Sequence, residues 1–131
     1  MKKLLFFSIL YLLFQALSAQ PEDKKLGKIT FLMVDGEYEE AVKKTEKLRE
    51  DSEYRKNGWM YYYMSQAYFE IAGMPELAED YPKALKNSIK AAYKLAKYRD
   101  KSNENLKVWQ DAQGFISVLK DSVITVSEIY Y

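Results

Sequence analysis

Two side chains that carry much of protein chemistry are missing, since the 131 residues include neither cysteine nor histidine. This excludes disulfides, thiolate nucleophiles, lipidated cysteines and the usual histidine bases and zinc-ligand sets. Carboxylate pairs remain, namely Glu39 with Glu40 and Glu79 with Asp80, but neither has the glycine-centred spacing of a calcium loop. We therefore predict a protein that is not an enzyme and that has no metal site and no cofactor.

A large net charge is also missing, because 20 lysine and arginine residues oppose 19 aspartate and glutamate residues. A balanced chain gives no reason to expect a nucleic acid or an anionic lipid as the partner. The one local excess is the lysine-rich stretch from Lys83 to Lys101. We interpret it as a solvated helix face, and a site for an acidic partner is the alternative.

The only long apolar run lies at the N-terminus, where two lysines precede Leu4 to Leu17. Small residues follow, ending at Ala19. A basic flank, a short apolar run and small residues are typical of a secretory signal, and the run is shorter than the roughly 20 residues that span a bilayer. We predict a signal peptide over residues 1–19, an exported domain over residues 20–131 without a stable membrane span, and a periplasmic or cell-envelope location in a Gram-negative bacterium. An uncleaved membrane anchor is the alternative.

Apolar residues at three- and four-residue spacing predict an all-α domain. The five predicted helices cover about 26–34, 38–50, 59–72, 81–99 and 103–129. We expect Gly36 to end the first helix in a left-handed conformation, and Tyr81 and Pro82 to form the first turn of the fourth. The fifth helix carries an apolar stripe that begins at Trp109. β-Branched residues in the first and last helices would also suit strands.

Two helix starts are near-copies of each other, at residues 36–44 and 80–88. Each places a tyrosine three residues before an alanine, so one helix face has a bulky anchor beside a point of close contact. These positions resemble the tetratricopeptide repeat, whose pattern of about 34 residues is also matched by Tyr61, Met64, Ser65 and Tyr68. Departures are the spacing of 43 residues between the two alanines, and Thr45 and Ser88 at positions where phenylalanine is usual.

The resemblance implies a fragment of an α-solenoid, with stacked antiparallel helix hairpins over about 26–99 and a long C-terminal capping helix over about 103–129. It also implies a groove that binds an extended peptide or a helix and is lined by the first helix of each pair. The groove positions carried over to this sequence are Trp59, Tyr62, Gln66, Phe69 and Glu70. Periodicity alone favours the alternative, that the aromatic residues among them form core.

From these features we predict an exported, non-catalytic adaptor that binds a protein or peptide partner or serves in assembly. A structural subunit of a homo-oligomer or larger complex is one alternative, because apolar surfaces and the terminal Tyr130 and Tyr131 could be buried between subunits. A carrier of a glycan or another small molecule is a further alternative, because aromatic rings also stack on sugars.

Overall fold

The computed structural model describes the backbone of residues 21–130 and the side chains of residues 21–123. This part of the chain is all-α, as predicted, and contains seven α-helices and no strand. The helices are α1 (Lys24–Val34), α2 (Tyr38–Glu50), α3 (Gly58–Ala72), α4 (Pro75–Ala78), α5 (Ala84–Tyr98), α6 (Asn103–Asp111) and α7 (Gln113–Tyr130), with a 3-10 turn (Arg99–Lys101) between α5 and α6. The predicted signal peptide and Tyr131 lie outside the described residues.

Helix α1 has a defined start and a defined end. The Asp23 carboxylate accepts hydrogen bonds from the backbone N–H groups of Lys25 and Leu26, at 2.8 and 3.2 Å. Such a cap satisfies donors that the first helical turn leaves unpaired. Gly36 follows the helix with a φ of 74°, so the predicted left-handed stop is confirmed. The Tyr54 hydroxyl donates to the same Asp23 carboxylate at 2.7 Å, which ties the α2–α3 connection to the start of α1.

Two predicted helix boundaries are wrong. Tyr81 and Pro82 precede α5, which begins at Ala84. The Tyr81 hydroxyl donates to Glu39 of α2 at 3.0 Å, so this residue anchors the preceding loop rather than the helix. The predicted fifth helix is divided at Ala112, whose ψ of −6° leaves the helical range. The apolar stripe nevertheless continues across the break, because the Ala112 N–H still reaches the carbonyl of Val108 at 2.9 Å.

Helix α3 is the centre of the fold. Every one of its residues except Glu70 and Ala72 is buried. It contacts α1, α2, α4, α5 and α6. A helix that is apolar on nearly all sides can be stable in water only when neighbours cover each side, and this is the arrangement observed. The four positions predicted for packing, Tyr61, Met64, Ser65 and Tyr68, are all buried.

Helices α3 and α5 meet at two small residues. The Ser65 hydroxyl donates to the Ser88 carbonyl at 2.8 Å, and the Ser88 hydroxyl donates to the Ser65 carbonyl at 2.7 Å. Both serines are buried, so the reciprocal bonds leave neither hydroxyl unsatisfied. Phenylalanine, which is usual at position 88 in the tetratricopeptide pattern, would separate the two backbones at this point. The departure from the pattern thus has a structural reason.

Asn105 joins three elements at one end of the molecule. Its side-chain oxygen accepts the backbone N–H of Gly58 at 2.8 Å, and its amide nitrogen donates to the carbonyls of Lys56 and Tyr98 at 2.8 and 2.9 Å. The start of α3, the end of α5 and the first turn of α6 are therefore held by one buried side chain. Position 58 requires glycine, because a Cβ atom there would lie 2.9 Å from the Asn105 oxygen.

We expect Asn105→Ala to lower the free energy of unfolding by about 2–4 kcal/mol, because three hydrogen bonds are lost and the buried N–H of Gly58 is left unpaired. Urea unfolding followed by circular dichroism measures the change. Gln110→Ala, an exposed position on the same helix, is the control and should change the value by less than about 0.5 kcal/mol. Equal stabilities of the two variants would contradict the role assigned to Asn105.

Candidate binding groove between α5 and α7

The predicted groove on α3 is not open in the structure. Trp59, Tyr62, Gln66 and Phe69 are buried, and only Glu70 is partly exposed. Helix α7 covers this face, since the Phe115 ring lies 6.0 Å from the ring of Tyr62 and 5.7 Å from that of Phe69, centroid to centroid. The expectation of an exposed aromatic groove at these residues is therefore corrected. The structure brings them together, but it places the aromatic side chains in the core.

Two polar members of the predicted set lie within this apolar environment. The Gln66 side-chain oxygen is buried and has no hydrogen-bond partner among the described residues. Burial raises the pKa of Glu70 from its usual value of 4.5 to about 7. Burial, with a contribution from the Glu70 charge, raises the pKa of the nearby Tyr38 to about 12. Glu70 is thus an acid that changes its charge close to neutral pH.

An open apolar groove lies between α5 and α7, at a different place from the predicted one. Its volume is about 440 Å³. The side chains that line it are Ile89, Ala92 and Tyr93 of α5, Trp109 of α6, and Ile116, Leu119, Lys120 and Val123 of α7. Among the described residues that line it, Lys120 is the only one with a charged side chain. We call this feature the α5–α7 groove.

Exposure separates the edge of the α5–α7 groove from its floor. Tyr93 is 68% exposed, and Ile89 beside it is also exposed. Ile116 and Leu119 are only 7% and 4% exposed, although they line the same groove. Tyr93 and Ile89 therefore form an apolar edge above an apolar floor, and an occupant of the groove would cover both.

Helix geometry explains why the groove forms. The inner face of α5, with Ala91 and Leu95, is buried against the core. Ile89 and Tyr93 occupy the neighbouring face, one helical turn apart, so they lie next to each other at the edge of α5. The small Ala92 leaves space between the helices. At the α6 end, the Arg99 guanidinium lies 5.6 Å from the centre of the Trp109 ring.

A second depression lies on the other side of Ile89 and Tyr93. Its volume is about 350 Å³, and it is lined in part by Lys90 and Lys94 of α5 and by Arg49 of α2. Arg49 already pairs with Glu46 at 2.6 Å. Ile89 and Tyr93 line both depressions, so they form a ridge between an apolar side and a side that carries lysines.

The sequence contained only a partial signal for the α5–α7 groove. Ile89, Ala92, Trp109, Ile116, Leu119 and Val123 belong to the predicted apolar stripes, but a stripe does not show which of its members a neighbour covers. Tyr93 lies between Lys90 and Lys94 in the sequence. A large aromatic ring among charged residues on one helix face was the available sign of an exposed apolar site. The residues that the sequence analysis singled out for binding lie on α3 instead.

Comparisons with known proteins assign no function to this groove. No protein-family model, no curated protein and no solved structure matches the chain. The resemblance to tetratricopeptide repeats therefore stays a resemblance at the positions named above, and function has to be argued from the geometry.

Two other kinds of site are absent from the described residues. None of the helices there has both the length and the apolar character needed to cross a membrane. The same part of the chain contains no group of three or more acidic side chains placed to hold a metal ion.

We expect Glu70→Gln to raise the free energy of unfolding at pH 8 and to leave it nearly unchanged at pH 4. The pKa of about 7 in the folded protein lies above the usual 4.5, so the folded state binds the proton more tightly than the unfolded chain does. Below pH 4.5 the carboxyl group is protonated in both states. Between pH 4.5 and 7 the unfolded chain loses the proton more readily than the folded protein, so the free energy of unfolding falls. Above pH 7 this decrease is complete. Allowing for partial solvent screening, glutamine should recover about 2–3 kcal/mol.

Urea unfolding at a series of pH values tests this prediction, with Glu76→Gln on the exposed side of α4 as the control. The Glu76→Gln curve should run parallel to that of the wild type. The prediction is wrong if the curve of Glu70→Gln also runs parallel to it.

Proposed function

We propose that this chain is an exported, non-catalytic binding module that holds an apolar segment of a partner protein in the α5–α7 groove. The observation that supports the proposal most directly is the exposed ridge of Tyr93 and Ile89 above the buried floor of Ile116 and Leu119. A mostly apolar concavity of several hundred Å³ has the size and character of a ligand site. A soluble domain has little reason to leave such an edge uncovered unless something binds there.

The shape of the groove favours a peptide segment as its occupant. Its two walls are helices, and it is open to solvent along the ridge. Amphipathic helices bind in grooves of this kind through apolar side chains spaced three and four residues apart. Tyr93 and Trp109 supply two aromatic rings, a residue type enriched at the energetic centres of protein interfaces. The carrier of a glycan or small molecule, considered above, would require several convergent polar groups to fix the ligand, and the described surface of this groove is almost entirely apolar.

The remaining parts of the proposal come from the sequence and from the helix packing. The basic and apolar N-terminal pattern over residues 1–19 supports export to the periplasm or cell envelope of a Gram-negative bacterium. The absence of histidine and cysteine supports a role in binding rather than catalysis. Consecutive helices α1, α2 and α3 pack on one another, and α5 packs on α3. This order supports a tetratricopeptide-like arrangement of helix pairs, in which a scaffold presents a binding surface.

A second candidate function, a structural subunit of a homo-oligomer, is favoured by a different surface. Phe31 and Val34 are exposed near the end of α1, a helix that does not line the groove. A second copy that covered this patch would remove both apolar side chains from water. Sedimentation velocity distinguishes the two functions, because a monomer at micromolar concentration contradicts the structural role and leaves the groove available.

A photo-crosslinking amino acid at position 93 tests the proposed function in the cells that make the protein. We expect it to form a covalent adduct with a partner protein upon illumination. The matched control is the same amino acid at position 106, because Leu106 of α6 is also an exposed apolar side chain but does not line the groove. Ile89→Ser should lower the yield of the adduct from position 93. Equal adducts from both positions, or none from position 93, would contradict the proposal.

A further inference from the structure

Helix α5 carries an uncompensated positive charge. Its sequence from Ala84 to Tyr98 contains four lysines, Lys86, Lys90, Lys94 and Lys97, and no acidic residue. The ion pairs in the described part of the chain join Lys43 to Glu40, Arg49 to Glu46 and Arg99 to Asp100, so none of them involves a lysine of α5. Because the whole chain carries a formal charge of only +1, this is a local segregation of charge.

The charge lies next to the apolar groove. Ile89 and Tyr93 form one side of the α5–α7 groove, and Lys90 and Lys94 line the depression on the other side of the same ridge. Lys120 of α7 lies at the groove itself. An elongated occupant lying along α5 would therefore meet apolar side chains on one flank and, on the other, Lys90 and Lys94, which form no ion pair among the described residues, although Lys94 lies over the Tyr98 ring.

We infer that the occupant of the α5–α7 groove is an acidic amphipathic helix, with its apolar stripe against Tyr93 and Ile116 and its carboxylates toward Lys90 and Lys94. This inference rests on the proposed function and adds the chemistry of the partner. An amphipathic helix places two kinds of side chain on adjacent faces, and the ridge of α5 divides two kinds of surface in the same way. Charge complementarity of this kind determines which partner binds more than how tightly it binds.

The same combination of lysines and apolar residues also occurs on proteins that lie on anionic membranes, but the shape of this surface favours a helix. Ile116 and Leu119 are almost fully shielded beneath the ridge. A planar lipid surface would touch the protruding Tyr93 and leave the floor empty. A helix with a row of side chains can fill the space between two other helices, as ridges fill grooves in helix packing.

The size of the expected charge effect follows from the solvent access of the two lysines, since Lys90 is exposed and Lys94 is partly exposed. An exposed ion pair raises affinity by less than about fivefold and is weakened by salt. Two pairs, at Lys90 and Lys94, should therefore favour an acidic partner over a neutral one by about tenfold in affinity. The preference should decline when the ionic strength rises from about 50 mM to about 500 mM, because the Debye length then falls well below 10 Å.

Synthetic peptides provide the test. The protein is used in the form in which the cells that make it produce it. Three peptides of about 16 residues share one stripe of leucine at helical spacing and differ only in the residues that flank the stripe, which are glutamate, glutamine or lysine. A fourth peptide has the composition of the glutamate peptide in an order that removes the stripe. Fluorescence anisotropy of a dye at the peptide N-terminus reports the affinity. Vesicles with and without anionic lipid provide a separate arm, measured by co-sedimentation.

We expect the striped glutamate peptide to bind about tenfold tighter than the glutamine peptide and the lysine peptide to bind weakest. Lys90→Glu with Lys94→Glu should reverse this order. Lys24→Glu with Lys28→Glu is the matched control, because it makes the same change at the same spacing on exposed positions of α1, and it should leave the order unchanged. Tyr93→Ala should weaken the binding of every striped peptide.

The outcomes separate this inference from the proposed function. If all striped peptides bind equally and the substitutions of Lys90 and Lys94 have no effect, the inference of an acidic partner is wrong. The proposal that the groove is a binding site is then retained. If no striped peptide binds, both the inference of an acidic helix and the proposed function are contradicted. Equal binding of the unstriped glutamate peptide, or binding to anionic vesicles but to no peptide, also overturns the acidic amphipathic helix as the occupant.

Discussion

The burial of α3 is the constraint on which the rest of the structure depends. This helix has no polar face, so neighbours must enclose it, and three of its four tyrosine hydroxyls find hydrogen-bond partners inside that enclosure. Tyr61 donates to the carbonyl of Arg55 at 2.7 Å, Tyr63 shares a hydrogen bond of 2.6 Å with Thr30, and Tyr68 donates to Glu46 at 2.9 Å. The partners come from α1, α2 and the α2–α3 connection. The hydrogen bonds that satisfy the tyrosine hydroxyls of α3 therefore also fix the positions of these elements.

The α5–α7 groove is a consequence of the same constraint. Helix α7 places Phe115 against α3, and α5 approaches α3 closely through Ser65 and Ser88. Each helix thus directs its inner face toward α3 and not toward the other. The gap between their outer edges remains, with Tyr93 on one side and Ile116 and Leu119 beneath it. A core built around one helix leaves its covering helices incompletely packed against each other, and the proposed binding site lies there.

The sequence predicts most of the fold and little of the site. Three- and four-residue spacing gives the all-α class and the ends of α1, α2 and α3 to within two residues. The break at Ala112 has no proline or glycine at that position to mark it. Periodicity shows that Trp59, Tyr62 and Phe69 share a face, but it does not show whether solvent or another helix lies opposite. Phe115, which closes that face, belongs to a helix more than 40 residues away in the sequence, so the contact depends on tertiary packing alone.

The basic surface of α5 follows from how the chain uses its acids. Asp23, Glu39 and Glu46 each accept a hydrogen bond from a tyrosine hydroxyl, those of Tyr54, Tyr81 and Tyr68 respectively. The bond from Tyr54 is the main reason that the pKa of Asp23 lies below its usual value. The other two bonds join Glu46 of α2 to α3 and Glu39 of α2 to the loop before α5. A lysine cannot accept a hydrogen bond, so it cannot serve a tyrosine hydroxyl in this way. Several acids are therefore held within the fold while the lysines of α5 remain at the surface, and a nearly neutral chain presents a positively charged helix beside its apolar groove.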